Sequence, residues 1–134
     1  MLFCLGCHTI YDNLKYNEEL SYQICPIDGC YGKVIETDEL ITPTIMLLNK
    51  KGYYTDYCCS GHWYDSSCNI YISFDCDIKL PFYPECFNVE HNENRVVLRK
   101  MLTDKKYSIQ SKINLIYKCN KILYRWAKNL PKNL

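Results

Sequence analysis

Two pairs of cysteines near the start of the chain constrain its fold more than any other feature of the sequence. The pairs are Cys4 with Cys7 and Cys25 with Cys30, and seventeen residues separate them. Zinc in structural sites takes four tetrahedral ligands, and two tight turns that each offer two thiolates supply them. We therefore predict that these four cysteines bind Zn²⁺ and hold together a small module over residues 1–35.

Two alternatives stay open at this predicted site. His8 follows Cys7 directly, so its imidazole is a candidate to replace one of the thiolates. Iron is a second candidate metal, because it also binds four thiolates. The paired spacing resembles that of the zinc ribbons and rubredoxin-like knuckles of many bacterial and phage proteins, which implies a closed, structural site that catalyses no reaction.

The ten cysteines of this 134-residue chain are expected to be reduced. No apolar run approaches the roughly 20 residues that a membrane span needs, and the first ten residues lack the basic segment and cleavage site of a secretory signal. We therefore expect a cytoplasmic protein without a membrane partner, located in the host cytoplasm if the chain is viral. A disulfide scaffold in an oxidising compartment is the alternative.

The stretch from Gly52 to Asp77 is predicted to form a β-hairpin. Apolar, aromatic or small side chains alternate along each arm: Tyr53, Thr55, Tyr57 and Cys59 in the first arm, and Ile70, Ile72, Phe74 and Cys76 in the second. Alternation in segments rich in β-branched and aromatic residues is typical of half-buried strands. The connecting loop, residues 60–67, is too long for a two-residue turn and is therefore a candidate working surface.

The chemistry of this hairpin has three interpretations. Cys59 and His62 are close enough in sequence to form a thiolate–imidazole pair, which is how a nucleophilic cysteine is activated. A second zinc site is another interpretation, with ligands drawn from Cys58, Cys59, His62 and Cys68 and completed by Cys76, Cys86 or His91. In the third interpretation Cys59 and Cys76 pack as small hydrophobic side chains, and His62 caps the turn.

Two helices and a second strand pair complete the predicted fold. The remaining predicted elements are a helix over residues 42–51, strands over 86–91 and 95–101, and a long helix over 104–130. Thr42 is a good N-cap, Pro43 suits the first helical position, and Gly52 ends the first helix. The fold class is α+β: after the zinc knuckle, residues 36–134 form a mainly antiparallel sheet of about four strands, with helices on one face and a long C-terminal helix.

The net charge of +1 conceals an uneven distribution along the chain. Residues 1–94 hold five Lys or Arg and fourteen Asp or Glu, whereas residues 95–134 hold eleven and one. Towards the end of the chain, basic residues recur at intervals of three and four and form a stripe of Lys118, Lys121, Arg125, Lys128 and Lys132, of which the first four are the candidate ligand-binding residues. This stripe predicts contact with the phosphates of a nucleic acid or nucleotide. A solvated helix face, or pairing with the acidic part of the chain, is the alternative.

The thirteen tyrosines bear on the same question. Bases stack on aromatic rings, so the large number of tyrosines favours a nucleic-acid partner. Most of the tyrosines, however, fall at alternating strand positions, which predicts that they complete the hydrophobic core.

The centre of the chain resembles a known group of proteins. The run from Glu39 to His62, ELITPTIMLLNKKGYYTDYCCSGH, followed by YISF at residues 71–74, is similar to a family of small uncharacterised proteins of firmicutes and their phages. The shared element covers residues 52–62 and in that family often follows a zinc knuckle. The resemblance implies a compact α+β domain and no particular activity.

These features are consistent with two functions, one of a binding protein and one of an enzyme. The first is a zinc-stabilised, phage-like binding protein whose hairpin loop and basic helix contact a nucleic acid, a nucleotide or a host protein, with a role in countering a host defence. The second is a small enzyme that uses Cys59 and His62, with or without a second metal. We favour binding, because the sequence lacks a recognisable carboxylate base, phosphate loop or dinucleotide fingerprint.

Overall fold

The chain divides into two compact units, Met1–Glu39 and Leu40–Leu134, called here the N-terminal unit and the C-terminal unit. The computed structural model describes residues 2–4, 7, 10–11, 25, 27–32, 34–36 and 40–133. Within these residues, no helix is both long enough and apolar enough to cross a membrane.

The N-terminal unit contains a small antiparallel sheet of order β2-β1-β3. Its described strands are β1 (Leu2–Cys4), β2 (Ile10–Tyr11) and β3 (Val34–Glu36). Leu2 pairs with Tyr11 on one side and with Glu36 on the other, so β1 is the central strand. Cys4 ends β1 and pairs with Val34, so the sheet positions the first predicted metal ligand.

The C-terminal unit has the α+β fold predicted from the sequence. Its elements are α1 (Thr42–Lys50), β4 (Thr55–Cys59), β5 (Ser67–Asp75), β6 (Asn88–His91), β7 (Arg95–Thr103) and α2 (Ile109–Asn129). The four strands form an antiparallel sheet of order β4-β5-β7-β6. The predicted hairpin, the second strand pair and the long C-terminal helix are confirmed, although β6 begins at Asn88 rather than Cys86 and α2 at Ile109 rather than Asp104.

Both helices pack on one face of the sheet, as predicted. On β5 this face carries Cys68, Ile70, Ile72 and Phe74, all with 0% of their surface exposed. On the neighbouring strand β7, the same face carries Val96, Leu98 and Leu102. The helices contribute buried side chains to this core: Ile45, Leu48, Ile116, Leu123, Trp126 and Ala127. The opposite face of the sheet, called here the open face, carries the other set of alternate residues.

A bulge in β4 corrects the prediction that its alternate residues share one face. Thr55 pairs with Phe74 and Tyr57 pairs with Ser73, so two residues of β4 advance against one residue of β5. An extra residue of this kind reverses the face of every residue that follows it. Thr55 therefore lies on the core face, whereas Tyr57 and Cys59 lie on the open face.

The helix starts also differ from the prediction. The N-cap of α1 is Ile41 without a side-chain cap bond, and Thr42 lies within the helix. At α2, the Ser108 hydroxyl accepts a hydrogen bond from the backbone N–H of Ser111 at 3.2 Å. Ser108 is thus the N-cap, and the residues between Asp104 and Ser108 turn the chain before the helix can begin.

Candidate functional site

The four predicted zinc ligands converge in the N-terminal unit. The Sγ atoms of Cys4, Cys7, Cys25 and Cys30 all lie within 4.8 Å of one another. Cys4 and Cys30 are 3.6 Å apart at sulfur, and Cys7 and Cys25 are 3.7 Å apart. Four thiolates about 2.3 Å from one tetrahedral metal ion would be about 3.8 Å from each other, so the cluster is arranged to hold a metal ion.

Local turns place these four thiols. The backbone N–H of Cys7 donates to Cys4 Sγ at 3.4 Å, so the first turn is closed by a hydrogen bond to one of the metal-ligand sulfurs. In the second turn, Cys30 N–H donates to the carbonyl of Ile27 at 3.1 Å, and Gly29 has a φ of +81°. A φ of this sign strains a side-chain-bearing residue, which explains the glycine just before the fourth ligand.

The chemistry of this cluster is that of a closed site. All four ligand positions are filled by protein sulfur, so none is left for a substrate or a water. All ten cysteines are among the described residues, and none of them forms a disulfide bond, so the structure does not support the alternative of a disulfide scaffold. His8, the alternative ligand, lies outside the described residues.

The four main predicted ligands of a second metal site do not assemble into a cluster, and Cys76 lies instead beside the exposed carboxylates of Asp75 and Asp77. Within residues 40–133, Cys58, Cys59, His62 and Cys68 form no group of three or more ligand atoms within 4.8 Å of one another. The backbone N–H of Gly61 donates to Cys59 Sγ at 3.5 Å. The ring of His62 stacks on Tyr64 with centroids 5.3 Å apart. The structure thus offers no support for a second metal site there, and the catalytic pairing of Cys59 with His62 stays a prediction.

The predicted role of the hairpin cysteines as small hydrophobic residues needs correction. Cys76 lies in the turn after β5 and is exposed, and Cys59 is only half-buried. In the C-terminal unit the buried thiols are instead Cys68 on β5 and Cys119 on α2. Burial raises the pKa of both thiols, which keeps them protonated and unreactive at neutral pH.

The predicted basic stripe borders a groove in the C-terminal unit, called here the helix groove. Its volume is about 600 Å³. The lining residues are Leu40, Pro43, Tyr117, Asn120, Lys121, Tyr124, Arg125 and Lys128. Three of the four predicted ligand-binding residues therefore meet at one depression, whereas Lys118 is exposed on α2 without lining it. No Asp or Glu is among the described residues that line this groove, so its positive charge is uncompensated there.

Tyrosines contribute to the helix groove in a way that corrects the predicted core role. Tyr117 is 54% exposed and Tyr124 is 42% exposed, so neither completes the core. They lie seven positions apart on α2, which brings them to one side of the helix together with Lys121 and Lys128. This alternation of Tyr and Lys at helical spacing was present in the sequence and could have identified the groove.

Asn120 connects the helix groove to the hairpin loop. Its side chain is 5% exposed, and its Nδ2 donates to the carbonyls of Ser60 at 3.0 Å and Ile116 at 2.7 Å. These two bonds fix the orientation of the amide, and no hydrogen-bond partner for its Oδ1 is found among the described residues. The two surfaces predicted to work together, the loop and the basic helix, therefore meet at this buried amide.

A buried lysine also holds the loop to α2. Lys112 is 1% exposed, and its Nζ donates to the carbonyl of Asp65 at 3.1 Å and forms an ion pair with Asp104. Its ammonium group thus ties the hairpin loop and the turn before α2 to the same point of the helix. A lysine on an amphipathic helix is normally expected at the surface, so the sequence pattern did not reveal this role.

Comparisons of the chain with protein-family models, with curated proteins and with solved structures gave no match. The resemblance to small firmicute and phage proteins therefore stays an expectation.

Proposed function

We propose that this protein is a zinc-stabilised nucleic-acid-binding protein that engages single strands through the helix groove. The observation that carries the proposal is the combination, in one groove, of three basic side chains with two exposed tyrosine rings and no acidic residue. Proteins that bind single strands combine a positively charged groove with aromatic side chains on which bases stack. A host protein is the less favoured partner, because neither feature is required for it.

The metal in this proposal is zinc, and its role is structural. Four thiolates suit Zn²⁺, and ligand spacings this tight are typical of closed sites whose binding energy folds a small module. The helix groove binds the nucleic acid independently of the metal. Lys121, Arg125 and Lys128 neutralise phosphates, and Tyr117 and Tyr124 stack on bases. The role in countering a host defence, which belongs to the same binding hypothesis, would be exercised through this nucleic-acid contact.

The test is the salt dependence of binding to a labelled single-stranded oligonucleotide, followed by fluorescence anisotropy. The variant replaces Lys121, Arg125 and Lys128 together with Gln. Each phosphate contact adds about 0.7 to the slope of log affinity against log salt for a single strand, so we expect the slope to decrease by about 2. At low salt, the affinity of the variant should fall by at least about tenfold.

The matched control replaces three other exposed lysines with Gln, at Lys79, Lys105 and Lys106. It removes the same amount of charge, so a general effect of net charge would weaken both proteins alike. We expect the control to keep the wild-type slope. Equal slopes in all three proteins, or no binding by the wild type, would rule out the helix groove as a nucleic-acid site.

A further inference from the structure

The open face of the sheet carries a second depression, called here the sheet pocket. It has a volume of about 370 Å³, within the range of small-molecule sites. Its lining residues are Tyr57, Tyr71, Ser73, Arg95, Val97 and Arg99. The helices cover the other face of the sheet, and the sheet pocket shares no residue with the helix groove.

Strand register builds this pocket from three strands. Ser73 of β5 pairs with Val97 of β7 and with Tyr57 of β4, so these three side chains lie side by side at its centre. Tyr71 pairs with Arg99 at one end of the pocket. The pocket thus offers two aromatic rings and two guanidinium groups around a central hydroxyl.

The two arginines are held differently. Arg99 donates to the Glu90 carboxylate at 2.9 Å and to the Asn69 side chain at 3.3 Å, and its guanidinium lies 5.3 Å from the centre of the Tyr71 ring. Its charge is therefore largely compensated by Glu90, and its orientation is fixed.

The positive charge of Arg95 is not compensated by an ion pair among the described residues. Its guanidinium lies over the Tyr57 ring at 4.5 Å, a contact that orients it without neutralising it. Asp75 is opposite Arg95 in the strand register, but its carboxylate accepts a bond from the Asp77 backbone N–H at 3.4 Å. In the described part of the chain, no ion pair joins Asp75 to Arg95.

The buried hydroxyl of Ser73 also indicates a ligand. Its side chain is 2% exposed, and among the described residues its hydroxyl has no hydrogen-bond partner. A buried hydroxyl without a partner destabilises a fold, and a larger apolar residue or Ala would avoid that cost. A ligand oxygen that reached this hydroxyl would satisfy it.

We infer that the sheet pocket binds a nucleoside monophosphate group. The phosphate would accept hydrogen bonds from Arg95 and from the Ser73 hydroxyl, since one uncompensated guanidinium and one hydroxyl donor match a single anionic group. The base would stack on the tyrosine rings, as planar bases do on aromatic side chains and on arginine planes. The group could come from a free nucleotide or from a nucleic-acid strand, and the chemistry of recognition is the same.

The test titrates each of the four nucleoside 5′-monophosphates into the full chain by isothermal calorimetry. We expect Arg95→Gln to weaken binding by at least about tenfold, because it removes the one uncompensated charge. Ser73→Ala should weaken binding by about fivefold while the midpoint of thermal unfolding stays the same or rises, since the lost hydroxyl has no hydrogen-bond partner in the described part of the chain. A residue with a merely structural role would not separate affinity from stability in this way.

Partial ligands and a control variant complete the experiment. Inorganic phosphate alone and the nucleosides alone should each bind at least about tenfold more weakly than the nucleotide, because each makes only half of the contacts. Lys106→Gln removes an exposed charge in the turn before α2 and should leave affinity unchanged. Unaltered affinity in both Arg95→Gln and Ser73→Ala, phosphate binding as tight as nucleotide binding, or no binding of any nucleotide would overturn the inference.

A competition arm identifies the source of the group. If a single-stranded oligonucleotide displaces the bound nucleotide, the pocket takes part of a strand; if it does not, the ligand is a free nucleotide. Both results support the site. Failure of the helix-groove test would leave this result unaffected, because the Gln variants of Lys121, Arg125 and Lys128 change no residue of the sheet pocket.

Discussion

Gly61 shows how a single residue positions the hairpin loop against the core. Its φ is +99°, and a Cβ at this position would lie 2.9 Å from Ile70 Cγ1, 3.1 Å from Cys68 Sγ and 3.2 Å from Ile116 Cγ1. The loop therefore approaches β5 and α2 so closely that only a residue without a side chain fits. The neighbouring Ser60 carbonyl reaches Asn120 because of this close approach.

Replacement of Gly61 by Ala should lower the free energy of unfolding of the C-terminal unit by about 2–4 kcal/mol, from the positive φ and the overpacking together. Chemical denaturation followed by near-ultraviolet circular dichroism measures this change. Ser66→Ala, at an exposed position of the same loop, is the control and should change stability by less than about 0.5 kcal/mol. Equal stabilities for the two variants would contradict the close approach of the loop.

The buried thiols predict a loss of stability at alkaline pH. Burial raises the pKa of Cys68 and Cys119 above the ordinary value of 9.0, so the folded protein binds these protons more tightly than the unfolded chain does. The associated stabilisation is complete below about pH 9 and is lost as pH rises through the folded-state pKa values. We expect the free energy of unfolding to decrease more steeply above pH 9 in the wild type than in Cys119→Ala. Parallel curves for the two proteins would show that Cys119 does not contribute.

At the scale of elements, one lysine joins the end of α1 to the end of α2. Lys51 Nζ donates to the carbonyls of Ala127 at 2.9 Å, Lys128 at 2.7 Å and Leu130 at 2.6 Å. The last carbonyls of a helix lack the usual i+4 partners, and that of Ala127 accepts only a long bond from the backbone N–H of Leu130, at 3.3 Å, besides the one from Lys51. A cation here also interacts favourably with the helix dipole. The Tyr53 hydroxyl adds a bond to the Pro131 carbonyl at 2.7 Å.

Lys51→Met keeps the aliphatic part of the side chain and removes the charge and its three hydrogen bonds. We expect it to lower the free energy of unfolding by about 1–2 kcal/mol and to increase hydrogen exchange in the last turn of α2. Lys50→Met, one residue earlier and exposed, is the matched control and should have a smaller effect. If the two variants were equally stable, the contacts of Lys51 would contribute nothing beyond a general effect of charge.

At the scale of the whole molecule, the two units are expected to owe their stability to different causes. The C-terminal unit has a core of buried side chains from its sheet and both helices. The N-terminal unit has about 39 residues, a size at which a metal or disulfides are usually needed for folding. The four-cysteine cluster is the described feature that meets this need.

Cys4→Ser and Cys30→Ser should therefore each release the metal and unfold the N-terminal unit, while the C-terminal unit keeps its core. Metal content by mass spectrometry of protein purified without added zinc should be one zinc ion per chain in the wild type and close to none in the variants. Cys76→Ser, at an exposed position outside the cluster, is the control and should retain the metal. Full zinc content in both variants would contradict the assignment, and iron in the wild type would change the metal but not the ligands.

Local patterns in the sequence were sufficient to predict the four-cysteine cluster, the hairpin and the fold class. The four cysteines could be predicted as a cluster because each pair lies within one turn, and the hairpin because alternation is a property of a single strand. The sequence also determined the fold class, and it located three basic residues of the helix groove through their helical spacing.

Only the tertiary structure decided which side chains meet across elements. The bulge in β4 depends on how that strand pairs with β5, so alternation alone placed Tyr57 on the wrong face. Asn120 and Lys112 are buried because the hairpin loop and the turn before α2 supply partners for their polar atoms, and those partners are distant in sequence. The sheet pocket is lined by residues of three strands, and their register depends on backbone pairing between segments that are distant in sequence. The residue pattern within one strand does not predict that register.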